Sequence, residues 1–307
     1  MTFLGIYDIM EVRTLKNFYE KRFTMRIVVK VGTSTLTHST GNLNIRRVEK
    51  LCSVLSDIKN AGHEVILVSS GAIGMGVGKL ALREPPKDMP SKQAAAAVGQ
   101  CELMYTYDKL FSEYHHTVAQ ILLTGSDVRD AKRKENFHNT LFKLLELGAI
   151  PVINENDTVA TEEIGIGDND TLGAIVAVSA KAELYVLLSD IDGLYTADPR
   201  SDADAKLIPY IEKITPEVHA LAGGSGSALG TGGMSTKLKA AEIAAAMLVF
   251  QNSPLNDAEL YDARTSGGTY SPLFQPETHL PRKAYWSFRM FGELKEILLV
   301  LGFIINH

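Results

Sequence analysis

Cysteine is scarce in this 307-residue chain: Cys52 and Cys101 are its whole complement. They are far apart and fit no metal-ligand spacing, so a disulfide framework and a cysteine metal site are both excluded. Each sits in a helical pattern of apolar residues and is expected to be a buried, reduced thiol of an intracellular protein. Basic excess is also missing. The formal net charge is -5 and the pI about 5.9, whereas a nucleic-acid binder would show a basic balance or stripe. The densest basic run, Arg129 to Lys134, is interrupted by Asp130 and Ala131 and reads as a solvated helix face. No apolar run is long enough to span a bilayer. The segment LKEILLVLGFII is too short and contains Lys295 and Glu296. The first 24 residues lack a secretory apolar core, because Asp8 and Glu11 break it up. The default location is therefore the cytoplasm. Internal repeats and low-complexity tracts are absent too.

What is present is an alternation of strands and helices. RIVVKV (26–31) is a β-branched run ending at Gly32 and reads as a buried strand. Val48, Leu51, Cys52, Leu55 and Ile58 share one helical face, which Gly62 closes. Further strands are expected at 65–70, 117–123, 149–154 and 183–190. Helices are expected from the Ala-rich segment 93–98 to Leu110, and over 128–147, 171–180 and 236–247. Near-continuous apolar strands separated by helices imply an α/β fold with a mostly parallel sheet covered on both faces. In such folds ligands lie beyond the carboxyl ends of the strands.

The residues that follow the strands are correspondingly informative. They are Lys30-Val31-Gly32-Thr33-Ser34, Ser69-Ser70-Gly71-Ala72 and Asn154-Glu155-Asn156-Asp157. Each has a plain structural alternative: Gly32 and Gly71 as tight turns, Ser70 as a helix cap, Asn154 to Asp157 as a solvated loop. Taken together at neighbouring strand ends they favour a ligand site. Lys30 is the odd residue, since an unpaired ammonium inside an apolar strand is costly. It needs an anionic partner, either a carboxylate or a phosphate. Asp168-Asn169-Asp170 precedes a helix, where carboxylates also serve as cap and first-turn residues; next to a phosphate site they would need cations, and Lys30 and Lys237 are the candidates. Finally, GGSGSALGTGGMSTK (223–237) runs straight into a helical pattern headed by Ser235, Thr236 and Lys237, which is the make-up of an anion cradle. It is not a Walker A sequence. The match of Gly76, Gly78 and Ala81 to GxGxxA is weak evidence for dinucleotide binding, because it starts several residues past its strand.

Six segments in order, KVGTS, VSSGAI, NENDTVA, GDNDTLGA, LSDIDGLYTADPR and GTGGMSTK, resemble the glutamate 5-kinases of the amino acid kinase superfamily. The resemblance covers roughly Met25 to Ile243. It implies an αβα sandwich with glutamate at the carboxyl edge of the sheet and ATP beside it. By motif, Lys30 would contact the transferring phosphate. Ser70, Gly71, Asn154, Asp157 and Asn169 would bind glutamate. Gly32, Ser189 and Asp190 would line the nucleotide, and Thr231, Gly232, Gly233, Met234, Ser235, Thr236 and Lys237 would cradle it. Asp170 would orient the two lysines, supported by Asp168. No motif contains a histidine, and none is needed, because a carboxylate with a pKa near ~4.3 is already an anionic nucleophile at neutral pH. Mg2+ would arrive with ATP. The family also implies proline as a feedback inhibitor and assembly as a dimer or tetramer.

The implied layout is an unassigned extension over 1–24, a kinase domain over 25–275 and a divergent tail over 276–307 without an RNA-binding-like PUA domain. From Ala245 onward the chain departs from the family pattern: MLVF (247–250) reads as the missing strand, SGGTYSPLF as a distorted GTLF segment, and RKAYWSF is similar to a family linker. Two alternatives to glutamate phosphorylation stay open on sequence grounds. One is another acceptor, such as acetylglutamate or a nucleoside monophosphate. The other is a catalytically impaired paralogue that acts as a binding protein.

Overall fold

The computed structural model describes residues 24–38, 42–160, 168–189, 191, 193–208, 211, 213–222, 233–250 and 285–289, with side chains described up to Ala245 in the penultimate segment and backbone alone in the last. Asp190, Thr231 and Gly232, all expected at the nucleotide, lie outside these residues.

Six strands form the sheet: β1 (Arg26–Val31), β2 (Glu64–Val68), β3 (Val118–Leu123), β4 (Ile150–Glu155), β5 (Leu184–Ser189) and β6 (Tyr285–Arg289). Their order is β3-β4-β2-β1-β5-β6, and every pairing is parallel. β1 therefore lies at the centre, with Lys30 opposite Val68 on one side and Leu187 on the other. β6 falls where the sequence suggests a linker. MLVF, read as a strand, belongs instead to the last helix, which continues to Phe250; its Ala-rich lead-in 240–246 favours helix over the β-branched composition of a strand.

The helices are α1 (Thr33–Leu36), α2 (Ile45–Asn60), α3 (Ala72–Lys79), α4 (Met89–Ser112), α5 (Gly125–Arg129), α6 (Ala131–Glu146), α7 (Asn169–Ser179), α8 (Pro216–Leu221) and α9 (Met234–Phe250). The single helix expected over 128–147 is two. Asp130 takes an extended backbone between them and caps α6 by accepting from the Arg133 N–H at 2.8 Å. The basic run within it is solvated as expected, with Lys132 on Glu135 at 3.1 Å and Arg133 on Asp127 at 3.0 Å. Asn44 caps α2 in the same way, and Gly62 and Gly148 follow α2 and α6 with φ of +96° and +76°, conformations that glycine adopts without strain.

Two cores sandwich the sheet. Successive residues of a strand face opposite sides. Ile27, Val29 and Val31 meet Leu51 and Leu55 of α2 and Leu103, Tyr107 and Phe111 of α4. Val28 meets Leu141 of α6, Leu172 and Val176 of α7, and Ala240 and Ala244 of α9. Lys30 is in phase with Val28, so it faces the α7/α9 layer. Cys52 is buried on the α2 face, where loss of solvent pushes its thiol up to about 12. Cys101 corrects the expectation of two buried thiols: it lies on the solvent side of α4.

The GxGxxA match also has a packing explanation. A Cβ at Gly76 would lie 1.8 Å from the Ala95 carbonyl oxygen, and one at Gly99 would lie 1.7 Å from that of Ala72. Helices α3 and α4 cross with their backbones in contact, and glycine at 76 and 99 is what allows it. Among the described residues, no helix is long and apolar enough to cross a membrane.

Candidate active site

The carboxyl ends of β1, β2, β4 and β5 converge with the first turns of α7 and α9. At their centre is Asp170, about 1% exposed. Its Oδ1 pairs with Lys30 Nζ at 2.5 Å and its Oδ2 with Lys237 Nζ at 3.2 Å. The Thr236 hydroxyl donates to the same Oδ2 at 3.1 Å. Asp170 sits in the first turn of α7, where the helix dipole favours a negative charge. Its backbone carbonyl accepts from the Tyr185 hydroxyl at 2.8 Å, which ties the start of α7 to β5. Tyr185 shares the β5 face of Leu187, and sequence reasoning gave it no role. Its only cue was a hydroxyl in an otherwise apolar strand.

The charges in this cluster hold one another in place. Burial alone would raise the pKa of Asp170, but Lys30 and then Lys237 outweigh it, and the carboxyl is held below its ordinary range. Burial drives the Lys30 pKa down. Asp170 opposes that, Lys237 adds to it, and Asp168 opposes it. One carboxylate thus serves two ammonium groups, so these three side chains together carry an excess of positive charge. Asp168 acts locally as the cap of α7, accepting from the Thr171 N–H at 2.8 Å and its hydroxyl at 2.9 Å. Its help to Asp170 is through the helix start and the field at Lys30, without direct contact to either lysine among its bonds.

The polar side is built from amides. Asn169 Nδ2 donates to the Ser69 carbonyl at 3.1 Å, the Ser70 hydroxyl at 2.7 Å and Asn154 Oδ1 at 3.2 Å. Asn154, on the α4 face in phase with Val152 and 1% exposed, donates onward to Gln100 Oε1 at 2.9 Å. Gln100 was not singled out in the sequence, since just past the alanine run 94–97 it reads only as part of a helix. Asp157, just past β4, has its carboxyl pushed up to about 6, by burial first and then by Glu155. A carboxylate raised in this way gains from a cationic ligand.

Gly32 and Gly71 follow β1 and β2 at the carboxyl edge of the sheet. A Cβ on Gly32 would stand 3.4 Å from Lys30 Nζ. Gly71 takes φ +99° as it opens α3, a left-handed turn that other residues rarely adopt. Ser189 is buried at the end of β5. On the cradle side, Gly233 leads into α9 and its carbonyl accepts from the Thr236 hydroxyl at 2.8 Å. Met234 packs on the small apolar cluster of Leu194, Ala222 and Leu238, and Ser235 is exposed. The structure thus gathers Lys30, Asp170, Thr236 and Lys237 in one cluster, and Ser70, Asn154 and Asn169 in an adjoining one.

Among the described residues no three His, Cys, Asp or Glu side chains converge as a metal cage, and Asp170 is already committed to two lysines.

Comparison with known proteins shows the family. The profile of the amino acid kinase family matches residues 25–249. The chain belongs to the amino acid kinase family. Within it the near relatives are glutamate 5-kinases. That of Moorella thermoacetica is 51% identical over 256 residues, 83% of this chain and 68% of the relative. That of Clostridium tetani is 57% identical over 218 residues, 71% of this chain and 82% of the relative. That of Carboxydothermus hydrogenoformans is 58% identical over 220 residues, covering 71% of this chain but only 59% of the relative. The fold is shared with a carbamate kinase from Giardia lamblia at 13% identity and a TM-score of 0.50, over 73% of this chain and 90% of that one. These likenesses place the chain with glutamate 5-kinases and do not favour another acceptor or a non-catalytic paralogue.

Proposed function

We propose that the chain transfers the γ-phosphoryl group of ATP to the side-chain carboxylate of L-glutamate, giving γ-glutamyl phosphate, the first step of proline biosynthesis. The observation that carries this is Asp170 holding Lys30 and Lys237 together at the carboxyl edge of the sheet, beside the amide cluster of Ser70, Asn154 and Asn169.

The acceptor carboxylate needs no general base. The difficulty is to bring two anions into line and to offset charge spreading over the phosphoryl oxygens. Lys30 and Lys237 supply two fixed positive groups for that purpose, and Asp170 keeps them from drifting apart by mutual repulsion. Gly32 and Gly71 let backbone N–H groups come close to the phosphoryl group. Asp157 and Asn169 offer an anion and an acceptor to the α-ammonium of glutamate. On the other side Gly233, Met234, Ser235 and Thr236 form the start of α9 beneath the nucleotide, with Ser189 alongside. In the same reading Thr231, Gly232 and Asp190 complete the nucleotide side, Mg2+ travels with ATP, and the protein works in the cytoplasm.

The test is incubation with Mg-ATP and glutamate, acetylglutamate or UMP as acceptor, with hydroxylamine trapping the acyl phosphates of the first two and ADP release following all three. Hydroxamate formed only with glutamate supports the proposal, and its absence with glutamate overturns it. Proline inhibition and dimeric or tetrameric assembly belong to the same proposal. They are checked by titrating proline into that assay and by light scattering of the purified chain.

A further inference from the structure

A chain of side-chain amides runs from the edge of the sheet to the proposed substrate site. Gln120 of β3 lies opposite Val152 of β4, so it shares the α4 face with Asn154. Gln100 Nε2 donates to Gln120 Oε1 at 3.2 Å, and Gln100 Oε1 accepts from Asn154 Nδ2 at 2.9 Å. Asn154 Oδ1 accepts from Asn169 Nδ2 at 3.2 Å and from the Glu155 N–H at 2.9 Å.

The direction of this chain is fixed by backbone groups at two points. The Glu155 N–H can only donate, so the Asn154 atom facing it must be the oxygen. The Ser69 carbonyl can only accept, so the Asn169 atom facing it must be the nitrogen. Asn154 then turns its NH2 toward α4, where a buried donor needs an acceptor, and Gln100 supplies it while only 8% exposed. Asn169 is left with its Oδ1 buried and taking no donor among the described residues. A native structure seldom leaves such an acceptor without a purpose.

We propose that Gln100 is a positioning residue: by accepting from Asn154 Nδ2 it holds the Asn154 amide, whose polarity the Glu155 N–H sets, in the place where it receives Asn169 of the glutamate site. This rests on the glutamate kinase reading of the site. Gln100 does not touch substrate itself. If its acceptor is lost, Asn154 Nδ2 is buried without a partner while Oδ1 stays tied to the Glu155 N–H, so the Asn154 side chain loses the anchor that places it against Asn169.

The test uses the full chain with two substitutions. Gln100→Met keeps length but removes the acceptor. Gln100→Glu keeps the acceptor toward Asn154, while the Gln120 amide, on an exposed position of the edge strand, can turn to donate to it. For Gln100→Met the KM for glutamate should rise about tenfold, the scale of one buried hydrogen bond, with kcat and the KM for ATP within about twofold. Gln100→Glu should keep the KM for glutamate within about threefold of the unmodified chain. An unchanged glutamate KM in Gln100→Met overturns the proposal, as does an equal rise in the KM for ATP, which would mark a general structural role. Should Gln100→Met fail to fold, Gln100→Glu decides alone: retention supports the proposal and a tenfold rise overturns it. Lack of any glutamate-dependent turnover in the unmodified chain would instead remove the kinase reading on which this rests.

Discussion

Asp170→Asn separates the structural and chemical parts of the lysine pair. The substitution is isosteric, so packing is kept, but it leaves two ammonium groups near one another with no anion between them. Lys30 and Asp170 have side chains 8% and 2% exposed, and Lys237 is 14% exposed, so water does little to compensate. Removing one partner of such a buried pair costs about 3 kcal/mol or more. At ~2–4 °C per kcal/mol for a domain of this size, the melting temperature without nucleotide should drop by about 6–12 °C. The pH dependence gives an independent check. The Lys30 pKa is already lowered in the folded chain, so the unfolded chain binds more protons between that value and ~10.4, and stability rises with pH across this window. Losing Asp170 removes an influence that raises the Lys30 pKa. The window therefore widens downward, and the stability of the variant should rise with pH from a lower starting pH than that of the unmodified chain. ATP should narrow the gap in melting temperature, since its phosphates give the lysines a counter-charge, while turnover stays low because the two groups are no longer aligned. The assay is thermal unfolding at several pH values with and without Mg-ATP. A melting temperature within 1–2 °C of the unmodified chain, with the same pH dependence, would refute the role assigned to Asp170.

Three other outcomes are expected. Lys237→Ala should lose at least ~100-fold in kcat while remaining folded, because a fixed charge on the phosphoryl group is removed; near-normal turnover would show that this lysine is not in the reaction. Asp157→Asn should raise the KM for glutamate at pH 8 and flatten its pH dependence, because the carboxyl near 6 loses its charge as pH falls through that value. The same variant should melt at a higher temperature above pH 6, since an Asp with a raised folded pKa destabilises the native state as pH rises from ~3.9 through about 6, and a lower melting temperature there would contradict the placement. Gly99→Ala should cost about 1–3 kcal/mol by forcing α3 and α4 apart, because its Cβ would lie 1.7 Å from the Ala72 carbonyl oxygen; denaturant unfolding would expose an unchanged midpoint if the crossing is looser than described.

How far the sequence revealed this molecule depended on whether the cause of each feature was local. The strands β1 to β5 are near-continuous apolar runs bounded by glycine or polar turns, and their positions were legible to within a residue or two. Their order in the sheet was not, because nothing local says that β1 pairs with both β2 and β5. The break at Asp130 was missed because the helical period of the apolar residues continues across it, although the side chain that caps α6 was in plain view. β6 and the helical state of 247–250 were misjudged where likeness to a family pattern replaced periodicity as the guide. Cys101 was misplaced because α4 is rich in alanine, which marks no clear buried face.

The site divides in the same way. Lys30 drew attention by itself, since a charge inside an apolar strand requires a partner, and that argument could say "anion" without saying which. Asp170, the partner, lies well beyond it in sequence; the need of the Asp168 and Asp170 carboxylates for cations made Lys30 and Lys237 candidates, and the family resemblance then gave Asp170 the task of orienting them. Of the two readings of Asp168 the structure shows the cap: it accepts from the Thr171 N–H and hydroxyl at the start of the helix that carries Asp170. Gln100 shows the limit of sequence reading. A glutamine in that helix carries no signal, and its meaning comes from a chain of bonds that runs from Gln120 through Gln100 and Asn154 to Asn169. A residue can thus hold a substrate-site amide in place without bearing charge or touching the ligand, and only the bonded geometry makes that visible.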